Sequence, residues 1–175
     1  MKIVSSREVY RSAIFRVVEE RASGAGGYEI RRGIVRHHGS AVMLAVDDRG
    51  RVLLVRQYRL PARRYLWELP AGRLDKGETP LQTARRELIE ETGYRARKWK
   101  KLLSFYPSPG FVAEKMTVFL ATDLMPGASS PMDDERIECR WFTPAQVQRW
   151  IDSGRIMDGK TIAGFLVWRY QSPQS

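Results

Sequence analysis

Apolar and polar residues change rhythm several times along the chain, and each change marks an element. From Glu8 to Glu20 they alternate, with Val9, Tyr10, Ile14, Phe15, Val17 and Val18 supplying β-branched and aromatic side chains, which predicts one or two strands. The glycine-rich run Ser23 to Gly27 predicts a turn, and Tyr28 to His37 another strand. An antiparallel ribbon of this kind is marginal alone, so it is expected to pack on the main domain or on a second subunit. Ser40 to Val46 and Arg51 to Tyr58, each with an apolar stretch at its centre, read as strands around the Asp47-Asp48-Arg49-Gly50 turn, which predicts a hairpin. Tyr65 to Pro70, Trp99 to Tyr106, Lys115 to Thr122 and Arg136 to Phe142 read as further strands, with loops at Ser108 to Phe111 and Leu124 to Asp134. Thr143-Pro144 predicts a helix start running to about Ser153, and a last helix is expected over Lys160 to Tyr170. Strands, one helix, more strands, then helices make an α+β class with mixed sheets.

The most organised stretch is Gly72 to Tyr94, GRLDKGETPLQTARRELIEETGY. Thr79, Pro80 and Gln82 form a capping box with proline at the first helical position, and Gly93 supplies a C-terminal cap. Leu81, Ala84 and Leu88 make an apolar stripe. Glu87, Glu90 and Glu91 stand at i, i+3 and i+4, so their carboxylates share one face. Like charges at this spacing repel, and something positive must offset them. A hard divalent cation with oxygen ligands does so directly, whereas a solvated acidic face is the plainer alternative.

Composition narrows the setting. A chain of 175 residues, 43% apolar and 29% charged, is expected to form one globular core. The single cysteine, Cys139, excludes an internal disulfide and a cysteine metal site, and is expected to be a small buried residue. No apolar run long enough to span a membrane is present and the N-terminus lacks a signal peptide's apolar core, so the cytoplasm is the expected location and no membrane partner is expected. The net charge of +10 raises nucleic-acid binding, but the cations are scattered and no RNA-binding module motif occurs. Attraction of anionic small molecules is the simpler use. His37 and His38 are adjacent in a strand and point to opposite faces, so a joint metal role is not expected.

The stretch Gly72 to Tyr94 resembles the signature of the Nudix hydrolases, G-x5-E-x7-R-E-U-x-E-E-x-G-U with U a bulky apolar residue. Gly72, Glu78, Arg86, Glu87, Leu88, Glu90, Glu91 and Gly93 fit it, and Tyr94 stands where an aliphatic residue is usual. The resemblance implies a Nudix-type α/β/α sandwich over about Ser40 to Tyr170, with residues 1–38 an N-terminal strand extension and 39–175 the hydrolase domain. It implies hydrolysis of a nucleoside diphosphate linked to another group, with Mg2+ or Mn2+ held by Glu87, Glu90, Glu91 and the carbonyl of Ala71. Gly72 and Gly93 shape the turn and the helix end. Arg86 pairing with Glu78 would steady the loop, although Glu78 also reads as an ordinary loop charge. The acidic run Asp133, Asp134, Glu135 and Glu138 offers a general base, Glu135 first and Glu138 second, with Glu90 a further candidate, or else it is a solvated acidic loop.

Three segments resemble the ADP-ribose pyrophosphatase branch: VRQYR at Val55 to Arg59, WELPAG at Trp67 to Gly72, and YPSPGF at Tyr106 to Phe111, with Pro109 fifteen residues past Tyr94. Arg56 and Arg59 are expected to clamp phosphates with planar forks. Tyr28 or Trp67 could stack on adenine, though Trp67 reads more readily as core, and Glu114 could accept from ribose hydroxyls. The resemblance therefore implies hydrolysis of ADP-ribose to AMP and ribose 5-phosphate by a homodimer whose N-terminal strands meet across the interface. Another nucleoside diphosphate sugar, such as a GDP-sugar, is the rival substrate; an RNA-end hydrolase and a non-catalytic ADP-ribose sensor are the more distant readings.

Overall fold

A computed structural model of the chain describes residues 1–127 and 137–171. The N-terminal strands β1 (Lys2–Arg11), β2 (Arg16–Ser23) and β3 (Glu29–Arg36) form an antiparallel sheet in that order. Two strands therefore occupy the segment where one or two were expected, and the first begins earlier, at Lys2. Ser12 divides them: its hydroxyl accepts from the amides of Ile14 and Phe15 and donates to the Phe15 carbonyl. Val18 and Ala22 of β2 are buried, while every residue of β1 is exposed.

The main body comprises β4 (Ser40–Ala45), β5 (Val52–Arg59), β6 (Arg64–Glu68), β7 (Ala71–Arg73), α1 (Pro80–Thr92), β8 (Tyr94–Phe105), β9 (Met116–Pro126), β10 (Glu138–Phe142), α2 (Pro144–Asp152) and α3 (Gly159–Gln171). One sheet has the order β7-β4-β9-β8, with β4 parallel to β9 and the other pairs antiparallel; the second is antiparallel, β10-β5-β6. All of β4 is buried because it is covered on both faces. Ala41, Met43 and Ala45 pack with Ala84 and Leu88 of α1; Val42, Leu44 and Val46 pack with Val147 of α2 and Phe165 of α3. Helices thus close the sheets from both sides, which is an α/β/α sandwich with mixed sheets.

Two expectations about strands need correction. The Asp47–Gly50 turn forms, with the Asp47 carboxylate accepting from the amides of Arg49 and Arg51 and Gly50 at φ 71°. But β4 and β5 do not make a hairpin; the single Val46–Val52 bridge joins them before they part into different sheets. Both strands are apolar on both faces, and a simple two-stranded ribbon would leave one face of each in water. Second, β8 begins at Tyr94, directly after the Gly93 cap, and β9 continues to Pro126 where a loop from Leu124 was expected. Pairing of Tyr94 with Pro126 across the sheet extends both strands, and proline at a strand end gives up no needed ladder bond.

The extension is sewn to this body at two places. The Val35 amide donates to the Phe111 carbonyl at 2.8 Å and the Ala113 amide to the Val35 carbonyl at 2.9 Å. Arg73 Nη1 donates to the Ala13 carbonyl at 2.9 Å. β3 therefore fixes the loop that carries Pro109, and the Ser12–Phe15 turn rests against the residue that follows Gly72.

Candidate functional site

Helix α1 forms where its caps predict. The Thr79 hydroxyl accepts from the Gln82 amide, the Gln82 side chain accepts from the Thr79 amide, and Gly93 closes the other end at φ 70° with its amide donating to Ile89. Burial of Ala84 and Leu88 against β4 then turns Glu87, Glu90 and Glu91 toward the loop containing β7. Glu87 lies against Gly72 so closely that a β-carbon built there would stand 1.9 Å from the Glu87 carboxyl carbon. Glycine at this position makes room for a carboxylate, not for an unusual backbone angle. Glu91 Oε2 accepts from the Ala71 amide at 3.0 Å, which brings the end of the WELPA segment to the same cluster.

Arg86 organises the acids around it. Its Nη1 donates to Glu87 Oε1 at 2.7 Å and to Glu90 Oε2 at 3.0 Å; its Nε and Nη2 form a fork on Glu78 at 3.0 and 2.9 Å. Nη2 also reaches the Arg73 carbonyl at 3.3 Å. Glu78 further accepts from the Thr83 hydroxyl and the Asp75 amide, which closes the 75–83 loop. Arg86's hydrogen bonds hold the Glu78 carboxyl down to about 2, and the Arg86 guanidinium is pushed well above its ordinary value in return. The repulsion expected among the helix acids is thus offset by a cation from within the helix. Among the described residues no three acidic, histidine or cysteine side chains converge on a single metal position. Arg86 lies between Glu87 and Glu90, and water and phosphate oxygens complete such shells in diphosphate chemistry. The carboxylate oxygens, the adjacent β7 backbone and the space that Gly72 leaves for Glu87 fit a hard divalent cation.

The two arginines of β5 do not form one clamp. They are three residues apart on a strand and so leave it on opposite faces. Arg56 stacks over the Tyr65 ring at 4.7 Å and donates to Glu138 at 3.3 Å. Glu138 is also bound by Arg140 at 2.5 Å, and strand pairing sets it opposite Arg56. Its neighbour Cys139 emerges on the other face, where the thiol donates to the Glu91 carbonyl at 3.3 Å. Glu138 therefore does not join the α1 acids. Arg59 does approach that side: its fork grips Glu68 at 2.7 and 2.8 Å, and Glu91 contributes to its electrostatic environment. Cys139 itself is surface-exposed, contrary to the buried position expected, although the surroundings of its thiol push its pKa up to about 11, chiefly by desolvation.

Trp67 belongs to the core. It packs edge-on to Phe142 and tilted against Trp150, with the Arg140 guanidinium 5.8 Å from its ring centre, so it has no free face for a base. Tyr28 is exposed at the far end of β3, about 23 Å along the strand from Val35 at ~3.3 Å per residue. Pro109 lines a cleft of about 500 Å³ between β3 and the 106–113 loop, shared with Ile34, Arg36, Tyr106 and Phe111. Glu114 is half-buried and accepts from the Ser40 hydroxyl at 2.5 Å, with His37 Nδ1 at 3.5 Å. His37 Nδ1 accepts the Gly39 amide, and burial pushes its pKa down, so it serves the loop as a neutral ring. Asp133, Asp134 and Glu135 lie outside the described residues.

Sequence reasoning missed Lys160, Asp158 and the role of Glu68. A lone acid inside the apolar run YLWELP was the available signal for Glu68; nothing local marks its partners.

The NUDIX domain model matches residues 36–163. The chain belongs to the Nudix family. The ADP-ribose pyrophosphatase of Bacillus subtilis (strain 168) is 37% identical over 162 residues, covering 91% of this chain and 88% of that protein. The ADP-ribose pyrophosphatase of Mycobacterium tuberculosis (strain ATCC 25618 / H37Rv) is 37% identical over 166 residues, covering 93% and 80%. In fold, the chain superimposes on a crystal structure described as an ADP compounds hydrolase with a TM-score of 0.81 at 22% identity, over 97% of this chain and 94% of that one. The α+β Nudix architecture expected from the signature is the one the chain adopts.

Proposed function

We propose that this Nudix enzyme hydrolyses the diphosphate bond of ADP-ribose, yielding AMP and ribose 5-phosphate. The observation that carries the reading is the fit of Glu87 against Gly72 beside Glu91 and Glu90, on a chain whose 37%-identical relatives are ADP-ribose pyrophosphatases. Glu87, Glu90, Glu91 and the Ala71 carbonyl would hold Mg2+ or Mn2+, which neutralises diphosphate charge and activates water when bound. Arg59, on the α1 side of β5, would take a phosphate. The cleft beside Pro109, with the exposed rings of Tyr106 and Phe111, would receive the base. Glu135 remains our candidate for the general base on sequence grounds alone.

The exposed β1 carries Ile3, Val4, Val9 and Tyr10 in water, which supports a homodimer formed through the extension. The single cysteine supports a reducing compartment such as the cytoplasm. No described helix is long and apolar enough to cross a membrane.

Purified protein with Mg2+ and a panel of ADP-ribose, a GDP-sugar and capped RNA tests the reading. AMP release from ADP-ribose at the highest kcat/KM is expected; no turnover of any diphosphate would sink it. Glu91→Gln should remain folded and lose at least about 100-fold in kcat, the scale of a misplaced catalytic group.

A further inference from the structure

Glu68 is the least exposed charged side chain among the described residues, at 1%. A carboxylate so placed needs a cation, and this one has two. Arg59 forks onto both oxygens at 2.7 and 2.8 Å, and Lys160 Nζ donates to Oε2 at 2.5 Å. Burial would push the Glu68 carboxyl up, but the two cations outweigh it and hold the group below the usual carboxylate range.

The two cations differ in freedom. Lys160 is buried, stands second in α3, and is pinned a second time by Asp158 Oδ1 at 3.0 Å. Asp158 is itself fixed by the Thr161 amide and hydroxyl, and that hydroxyl accepts the Leu69 amide at 2.7 Å. Lys160 cannot leave. Arg59 is 39% exposed and faces the side where Glu91 lies. It alone can swing between Glu68 and a ligand in solution. Were Arg59 its only cation, Glu68 would be left stranded each time Arg59 swung away, which is strongly unfavourable in a buried setting; Lys160 removes that cost.

We infer that Lys160 is a positioning residue for substrate binding: it keeps Glu68 compensated so that the Arg59 guanidinium can transfer from Glu68 to a substrate phosphate. The inference rests on the diphosphate-hydrolase reading for its substrate. No covalent change is involved; one charge-assisted hydrogen-bonded pair is exchanged for another.

The test compares full-length wild type, K160M, E68Q/K160M and K160R in KM and kcat for ADP-ribose with Mg2+, alongside thermal midpoints. In K160M, Arg59 is the only cation left for Glu68 and is withheld from substrate. KM is expected to rise about tenfold, the order of one charge-assisted hydrogen bond, with kcat within about twofold of wild type. In E68Q/K160M no buried charge needs Arg59, and KM should return to the wild-type value; K160R should also stay there. An unchanged KM in K160M overturns the inference. So does a KM that stays raised in the double variant, which would mark Lys160 as a brace for the fold or a direct ligand. If K160M does not fold, the double variant carries the test alone: wild-type KM supports the inference and a tenfold rise overturns it. If the wild type splits no diphosphate, the functional reading fails by itself. The same series read as Kd for inorganic pyrophosphate by titration calorimetry then decides: weaker binding in K160M with recovery in the double variant supports the role, and any other pattern, including no binding by the wild type, overturns it.

Discussion

Replacing Gly72 by alanine is the smallest change that should separate the chemistry of this fold from its stability. The position does not require a left-handed backbone, so alanine is acceptable to the main chain. Its methyl group is not acceptable to Glu87. The new carbon would lie 1.9 Å from the carboxyl carbon and 2.1 Å from Oε1, against about 3.4 Å for ordinary contact, so the carboxylate must retreat by about 1.5 Å. Retreat weakens the 2.7 Å hydrogen bond from Arg86 and forces Glu87 off its preferred rotamer, at about 1–3 kcal/mol together. At about 2–4 °C per kcal/mol for a chain of this size, the thermal midpoint should fall by roughly 2–12 °C. The effect on turnover should be larger if Glu87 holds metal as proposed, because a displacement of about 1 Å at a catalytic group costs about 100-fold. The assay is AMP release across a Mg2+ titration, with melting followed in parallel. G72A should show kcat/KM down at least about 100-fold and a higher Mg2+ requirement. Wild-type activity at limiting Mg2+ would refute the claim that Glu87 works from the place Gly72 makes for it.

Further outcomes follow from other contacts. Glu78 stays ionised in the folded protein down to about 2, whereas the unfolded chain takes up a proton near 4.5. Its contribution is therefore complete above pH 4.5 and lost as the pH falls toward 2. The difference in urea midpoint between wild type and Glu78→Gln should be widest at neutral pH and close over that window; a difference independent of pH would contradict the pairing with Arg86. Thr79→Ala removes the cap of α1 and should cost about 1 kcal/mol, lowering the midpoint by about 2–4 °C without touching kcat. The proposed homodimer predicts a wild-type mass of two chains in sedimentation, and Val4→Lys with Val9→Lys, which charges the exposed strand β1, should give a folded monomer; a monomeric wild type or an unchanged mass in the variant would refute an interface through β1.

What could be foreseen from the residue order was local. Thr79, Pro80, Gln82 and Gly93 act within a few positions of one another, and so α1 and its acid face could be placed to the residue. The partners of that face were also near in sequence, since Arg86 and Glu78 belong to the same helix and loop. Contacts that depend on tertiary pairing were not foreseeable. β4 and β5 look like a hairpin until one knows that each must be covered on both faces. Arg56 and Arg59 are the exception: three positions apart on a strand, they are separable by parity alone once Arg51 to Tyr58 is read as extended. The register of β10-β5-β6 sets Trp67 and Glu138 on the face away from the α1 acids. Lys160 meets Glu68 across 92 residues, a distance over which no pattern in the chain carries information.

The two hydrogen bonds between Val35 and the 111–113 backbone have a consequence for how this protein would fail. They tie the 106–113 loop to a three-stranded sheet that contributes Val18 and Ala22 to the buried set but stands apart from both main clusters. Such a sheet can open locally at a free energy well below that of global unfolding. When it opens, the 106–113 loop loses its tether while the acids of α1, packed on β4 through Ala84 and Leu88, keep their places. If the proposed base cleft and metal site are right, mild denaturant should weaken affinity for the base before it abolishes turnover.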